Sequence, residues 1–531
     1  MPTVADLIIS SLRDAGAHTL FGVPGGGSNL DLIAAAGQAG LPFVLTATET
    51  AAAIAAIAQA EITGRPGACL TTLGPGAASV VNGVACAFLD RAPLVVFTDS
   101  HPAAGAGAFE HQRLDQAALL GPITKSSATV TPENAGRVVA CAISTASTYP
   151  PGPVHVECPG DVASAEAAPP SALSQRVITQ VEGPAVPDLL ASSRKPLLVV
   201  GLGARRPEDA AAIRSLCERL QLPAMVTYKA KGVVPDAHEW FGGVFTNATI
   251  EQPVVEDSDV IIGIGLDPVE LLPRRWQYRQ PIVNIGPGRV EDRHVPFAAQ
   301  VIADVPAGVK RLEAMISKSH WESGRLHRQV AVQRQQVCIP ADGLTAHRVV
   351  QIGASVLAPR VGRVTVDAGA HMLPATLLWP VSEPNQMLIS NGLSTMGFAL
   401  PAAIGAALID RNRPVVALTG DGGLLMCLGE LSTAARLKLR TIVIVFSDAS
   451  LSLIEIKQQA RRLQPDGVSL GTIDWRLLAR SFGVTAWVAS DETELERAVA
   501  QAVECDGPSL IEARIDRSNY GATLRAVRGD V

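Results

Sequence analysis

The sequence predicts an α/β protein made of three doubly wound parallel-sheet domains. Three observations carry that expectation. Short apolar runs rich in Val, Ile and Leu end on Gly, Pro, Asp or Ser and alternate with helix-length periodic segments, as βα units do. The chain has 531 residues, 47% of them apolar, which is enough for about three domains with their own cores. Finally, residues 415–446 read as strand, glycine-rich loop, helix and strand without a break, a crossover that only a parallel sheet uses.

Taken in order, the N-terminal segment reads as a first amphipathic helix. Asp6 and Arg13 lie inside it and no basic leader precedes it, so it is not read as a signal peptide. Strands are expected at 19–23, 43–46, 68–72, 94–98 and 154–157, within a first domain spanning 1–165. Residues 162–186, rich in Ala, Ser and Pro, read as a linker. A second domain, 186–316, opens with the strand after Lys195 and continues through 224–227, 260–264, 282–285 and 301–304. The charged, weakly patterned stretch 317–336 reads as a bridge. In the third domain, 340–531, strands are expected at 364–366, 387–389, 415–418, 441–446, 485–488 and 510–513, with helices at 424–437 and 451–459. The first and third domains look alike in pattern.

Composition narrows the function classes. The net charge of -6 invites neither nucleic acid nor an anionic membrane surface. No unbroken apolar run reaches the roughly 18 residues of a membrane span. The 8 cysteines are scattered without a CxxC pair and read as small buried hydrophobes in a reducing compartment, so the cytoplasm is expected.

The chemistry concentrates in the third domain. Asp421 and Asp448, 27 residues apart, each end a strand of one βαβ unit and so can meet at the carboxyl edge of the sheet. Two hard oxygen ligands beside the backbone N–H groups of Gly420, Gly422 and Gly423 suit Mg²⁺ carrying a diphosphate. Without that spacing the glycines would read as a tight turn and Asp448 as a helix cap.

Gly420-Asp421-Gly422, followed after that interval by a strand ending in Ser447-Asp448, resembles the thiamine-diphosphate (ThDP) signature, in which Asn-Asn ends the strand. The resemblance extends over nearly the whole chain. Its landmarks are Phe21-Gly22-Val23-Pro24-Gly25, Thr48-Glu49-Thr50, Leu73-Gly74-Pro75-Gly76, Gly121-Pro122-Ile123-Thr124-Lys125 and the run from Met396 to Gly405. The chain is similar to the ThDP-dependent 2-oxo acid decarboxylase and acetolactate synthase superfamily, whose domains bind the pyrimidine, form the centre and bind the diphosphate, in that order.

The resemblance implies a set of site residues. Glu49 maps onto the glutamate that hydrogen-bonds the aminopyrimidine; taken alone it reads as a carboxylate favoured at a helix N-terminus. Met396 maps onto the bulky residue wedged beneath the cofactor, where an unrelated chain would use it as core filler. Gln112 falls on a glutamine near the cofactor, and His111 replaces a phenylalanine beside it, where it could move a proton or bind a carboxylate. Cofactor contacts carry over to Pro24, Gly25, Pro75, Gly369, Ser394, Gly420, Gly422, Gly423 and Leu451. The metal ligands carry over to Asp421, Asp448 and the Ser450 carbonyl, with Asp448 adding a negative charge where the family has Asn. Glu455 and Lys457 stand where acetolactate synthases carry Arg and Trp, so the donor is left open.

The implied activity is ThDP- and Mg²⁺-dependent decarboxylation of a 2-oxo acid, with ligation of the acyl fragment to a second carbonyl to give a 2-hydroxy ketone. A non-ligating decarboxylase releasing an aldehyde is the alternative. Leu73 replaces the histidine of benzoylformate decarboxylases, and the tandem histidines of pyruvate decarboxylases are absent, which favours ligation. Two readings from other classes are a catalytically silent homologue and an NAD-dependent oxidoreductase using Gly201 and Gly203. That fingerprint lacks its third glycine, and FAD is not expected. The partners implied are a 2-oxo acid donor and a carbonyl acceptor, and the family pattern implies a homodimer or homotetramer with active sites at the subunit interface.

Overall fold

A computed structural model of the chain describes residues 2–102, 109–168, 187–291 and 293–529. Its framework is three six-stranded sheets, all parallel. The first contains β1 (Leu20–Val23), β2 (Phe43–Leu45), β3 (Gly67–Thr71), β4 (Leu94–Ser100), β5 (Ser127–Thr129) and β6 (Pro153–Pro159), in spatial order β2-β1-β3-β4-β6-β5. The second contains β7 (Pro196–Val200), β8 (Ala224–Val226), β9 (Phe241–Val244), β10 (Val260–Ile264), β11 (Ile282–Gly286) and β12 (Phe297–Ile302). Its order is β12-β11-β10-β7-β8-β9. The third contains β13 (Arg363–Val366), β14 (Met387–Ile389), β15 (Val415–Gly420), β16 (Thr441–Ser447), β17 (Thr485–Ala489) and β18 (Ser509–Arg514), in order β14-β13-β15-β16-β18-β17. Numbered within each domain, the first and third sheets share one topology.

The central strands are buried on both faces, which is why they read as continuous apolar runs and not as alternating ones. The helix Glu49–Thr63 is buried from Ala51 to Glu61 because Ala and Ile surround it on every side. Its Thr48 cap accepts a hydrogen bond from Ala51 N. It packs on the equally apolar helix Ala399–Ile409 of the third domain. Gly405 permits the approach, since a Cβ there would strike the Ala55 carbonyl.

A buried charge cluster pins all three domains together. Lys229, at the end of β8, is 1% exposed and pairs with Glu61 at 2.6 Å and Asp90 at 3.5 Å, both from the first domain. It also donates to the Ile389 carbonyl of the third. Burial opposes its charge, but Asp90 and Glu61 outweigh burial and the pKa is raised. Asp90 in turn accepts from the backbone of Asn391 and Gly392 and from the Ser390 hydroxyl. Lys229→Met is expected to cost about 3–5 kcal/mol, because two carboxylates are left buried without their ammonium. Urea unfolding followed by circular dichroism measures it, and a loss under about 1 kcal/mol would show that Arg205, 3.3 Å from Glu61, suffices alone.

Several expectations need correction. The helix expected at 424–437 is two helices, Asp421–Met426 and Glu430–Arg436, with the break at residues 427–429. The bridge at 317–336 contains the helix Ser323–Gln336, whose buried Leu326 and Val330 pack on the second domain while its other face is polar. Polar residues outnumbered the apolar signal there. The strand expected at 301–304 sits at Phe297–Ile302, and the short edge strands β5 and β9 were not foreseen. Of the expected linker, residues 162–168 are tied to the first domain through the bonds Val4 N to Ala165 O and Ala5 N to Ala163 O. Residues 169–186 of it lie outside the described residues. No helix of the described residues is long and apolar enough to cross a membrane.

Candidate cofactor and active site

Strands β15 and β16 are neighbours in register, Gly420 beside Phe446, so the residues that follow them meet at one sheet edge. Asp421 opens the helix Asp421–Met426, and its Oδ1 accepts from Gly422 N at 2.8 Å. Its Oδ2 reaches across to accept from Asp448 N at 3.1 Å and Ala449 N at 2.7 Å. Ala449 has φ +56°, an unusual left-handed residue that a loop holds only when its neighbours fix it. Here the fixing bonds are Leu451 N to Val468 O and Leu470 N to Ala449 O. Asp448 Oδ1 accepts from Ser450 N, and its Oδ2 accepts from the Ser452 hydroxyl.

Burial pushes the Asp421 carboxyl upward against its three backbone donors. Burial also pushes Asp448 up to about 6; the Ser452 hydroxyl opposes this and the neighbouring Asp421 charge adds to it. Two carboxylates driven toward neutrality by burial, with the Asp421 charge adding to the effect on Asp448, make a place where a cation is favoured. The Ser450 carbonyl accepts no hydrogen bond among the described residues and is a third free oxygen. No cluster of three His, Cys, Asp or Glu side chains is found among the described residues, so a backbone oxygen is what completes this donor set. The set is all oxygen and fits a hard divalent ion.

These groups open into a cavity of about 920 Å³ between the second and third domains. Gly369, Ser394, Met396, Gly420, Asp421, Gly422, Gly423, Asp448, Ser450 and Leu451 all line it. A Cβ on Gly422 would lie 2.7 Å from Leu451 Cδ2 and 3.4 Å from Met396 Cε, which sets Met396 directly over the glycine turn. Two residues escaped the sequence reading. Asp367, buried at the end of β13, accepts from Gly397 N, Phe398 N and the Thr419 hydroxyl, and so ties the Met396 loop to the strand before the Asp421 turn. Gly423 leaves the room it needs, for a Cβ there would stand 2.6 Å from Asp367 Oδ2. His371 lines the cavity stacked on Phe446, its Nε2 buried and without a partner, and burial pushes its pKa down to about 4. Both were detectable, since Asp367 ends a strand as Asp421 and Asp448 do, and His371 follows it in a glycine-containing loop.

The first-domain residues gather elsewhere. Pro24 and Gly25 follow β1, Glu49 follows β2, and Pro75 follows β3. Gly25 packs on Thr72, Gly74 packs on the Gln112 backbone, and Glu49 Oε1 lies 3.3 Å from where a Cβ on Gly76 would stand. Gln112 has φ +57°. His111 is exposed, and its carbonyl accepts from His101 Nε2. None of these six residues lines the cavity formed by their own chain.

Comparison with known proteins follows the same division. Residues 2–119 match the thiamine pyrophosphate enzyme N-terminal TPP binding domain, 185–312 the central domain and 367–513 the C-terminal TPP binding domain. The chain is 30% identical to the acetolactate synthase of Bacillus subtilis (strain 168), over 97% of this chain and 93% of that one. It belongs to the acetolactate synthase-like family of ThDP enzymes. Among its other relatives are the catabolic acetolactate synthase of Raoultella terrigena, 28% identical over 96% of this chain and 95% of that one, and a probable 2-ketoarginine decarboxylase of Pseudomonas aeruginosa, 28% identical over 96% and 94%. Family membership assigns thiamine diphosphate as the cofactor. In the central domain of this family member, Gly203 packs on Gly265, and the Leu202 N–H at the mouth of the glycine turn is taken by the Glu270 carboxylate at 2.8 Å. A dinucleotide diphosphate would have to displace that carboxylate.

Proposed function

We propose that this enzyme decarboxylates a 2-oxo acid and ligates the remaining acyl unit to a second carbonyl, giving a 2-hydroxy ketone, with Mg²⁺ as the metal. The observation that carries the reading is the Asp421–Asp448 pair, with its free Ser450 carbonyl, opening beside Met396 in one cavity. The bound cofactor supplies the electron sink for decarboxylation. This chain's residues do the rest. Asp421, Asp448 and the Ser450 carbonyl would hold Mg²⁺, and the glycine turn at Gly422 and Gly423, which lines the same cavity, would face the diphosphate. His371, kept neutral by burial and with its one ring N–H turned to the Leu418 carbonyl, would offer an acceptor nitrogen, Nε2, on the cavity wall. Met396 and Leu451 would support the rings, with Gly369 and Ser394 on the cavity wall beside them. Glu49 would hold the aminopyrimidine and its proton, with Pro24, Gly25 and Pro75 around it and Gln112 and His111 toward the substrate. Because that cluster does not line its own chain's cavity, the site is complete only when a second copy brings its Glu49 face to it, so a homodimer is the smallest active form.

Cation binding is expected to weaken as pH falls. Asp448 must give up its proton to bind the ion, and in the free folded protein it holds that proton up to about pH 6, against an ordinary value of 3.8. The raised folded pKa also means that ionising Asp448 costs stability as pH rises from near 4 through 6, and a bound cation removes that cost. Calorimetric titration with Mg²⁺ should therefore show roughly a tenfold loss of affinity per pH unit below about 6, with a plateau above. Asp448→Asn should flatten the profile, and an unchanged profile would exclude Asp448 as a ligand.

The test of the activity is product analysis by NMR with ThDP, Mg²⁺, pyruvate and a small panel of 2-oxo acids. A 2-hydroxy ketone supports ligation. Aldehyde alone would favour the second reading, simple decarboxylation, which the similarity to a probable 2-ketoarginine decarboxylase keeps in view.

A further inference from the structure

The cavity extends well past the Asp421–Asp448 pair, to the loop after β10 and to the last helix, Tyr520–Arg528. That wall is cationic, with Arg274, Arg275 and Arg528, and Lys457 and His294 line the same cavity. Among the described residues none of these four permanent cations has an ion-pair partner, whereas Arg91, Arg205 and Arg214 hold Asp267, Glu61 and Glu383. The Arg528 Nε and the His294 Nε2 are both cut off from solvent and partnerless. Arg274 Nη2 donates to the Arg528 carbonyl at 2.7 Å, which sets the two residues side by side. The one carboxylate on this wall, Glu270, is already engaged by Leu202 N and the Thr227 hydroxyl, and burial pushes its pKa up to about 7. The same cavity is also lined by the apolar side chains of Val269, Leu271, Leu272 and Leu453.

A cavity that holds the Asp421–Asp448 pair, apolar side chains and guanidinium groups without an ion-pair partner among the described residues fits a substrate with a second anion besides its 2-oxo acid group. We propose that the donor is a dicarboxylic 2-oxo acid whose distal carboxylate is held by Arg528, Arg274 and Arg275. This rests on the proposed function and deepens it. The reaction balances as R–CO–COO⁻ + R′–CHO + H⁺ → CO₂ + R–CO–CH(OH)–R′, where R keeps the distal carboxylate. The C1–C2 bond of the donor breaks, and its electron pair forms the new C–C bond to the acceptor. The guanidinium fork suits that carboxylate because it can bind both oxygens at once.

Two measurements on the full chain test the proposal. In calorimetry without cofactor, glutarate is expected to bind at least roughly tenfold more tightly than butyrate, and Arg528→Gln and the exposed Arg275→Gln should each erode that margin. In the loaded enzyme, the ratio of kcat/KM for 2-oxoglutarate to that for pyruvate should exceed one and fall by roughly tenfold in Arg528→Gln. Equal binding of glutarate and butyrate would overturn the proposal. So would tight binding of ADP that glutarate fails to displace, which would give the wall to a nucleotide phosphate. If ThDP fails to quench tryptophan fluorescence saturably, the proposed function falls instead, and the glutarate titration still decides what the wall binds.

Discussion

Glu49→Gln is expected to lower kcat by about a hundredfold to ten-thousandfold, the range for losing a proton-handling carboxylate. Affinity for ThDP should change far less, since the amide keeps the shape and one hydrogen-bonding oxygen. The fold should be unaffected. Glu49 is only partly buried at the first position of its helix, and Thr48, not Glu49, caps that helix. Glu430 Oε1 anchors the entry to it by accepting from Ala47 N and Thr48 N. The measurement is product formation under saturating ThDP and Mg²⁺, beside a cofactor titration of the same variant. Turnover within about threefold of the parent would remove Glu49 from the chemistry. A matched collapse of cofactor affinity would make it a binding residue only. Mixing Glu49→Gln with Asp421→Asn chains gives a second readout, because each lacks a different half of the site. Recovery of roughly a quarter of parental activity is expected if half of the chains pair as hybrids and each hybrid keeps one intact site.

How much of this was legible in the sequence follows from what each feature depends on. The βαβ unit around Asp421 and Asp448 was readable because buried parallel strands give unbroken apolar runs and because the ligand edge lies where those runs stop. All six strands of the third sheet were readable, the four inner ones for that reason. β5 and β9 were not: they are three- and four-residue edge strands, and β5 alternates partial exposure and lacks an apolar run. The split of the helix after Asp421 was hidden, since the segment from Leu424 to Leu437 is periodic enough to look continuous. Local pattern says nothing about Lys229, because its partners Glu61 and Asp90 lie in another domain and only the packed fold shows that all three are buried together. The arginine wall is hidden for the same reason. Arg274 and Arg528 are 254 residues apart, and nothing near either one marks it as unpaired.

The second large effect is expected from Asp421→Asn. Asp421 combines two jobs, as ligand and as the acceptor that folds the loop carrying the other ligands. Its Oδ2 accepts from Asp448 N and Ala449 N, and Oδ1 from Gly422 N. An asparagine has one oxygen for those three donors, and its NH₂ faces amide hydrogens wherever the second oxygen stood. The left-handed Ala449 then loses the acceptor of its amide, and the turn that carries the Ser450 carbonyl is held by fewer bonds, those to Val468 and Leu470 among them. Losing a charged ligand and leaving buried donors unmatched together should cost about 3–5 kcal/mol of Mg²⁺–ThDP binding, a factor of roughly a hundred to several thousand. Burial tempers the apo protein's loss, since Asp421 itself is held above its ordinary pKa and its charge is already costly there. The variant without cofactor should therefore melt within a few degrees of the parent, while the rise in Tm on adding Mg²⁺ and ThDP, large in the parent by mass action, should nearly vanish. A variant that keeps the full rise would place the cation elsewhere. One that melts much lower before any ligand is added would make Asp421 a structural residue first. Asp448→Asn separates these outcomes, since it removes a charge from the same edge without taking an acceptor from Gly422, Asp448 or Ala449 amides. It should retain most of the rise.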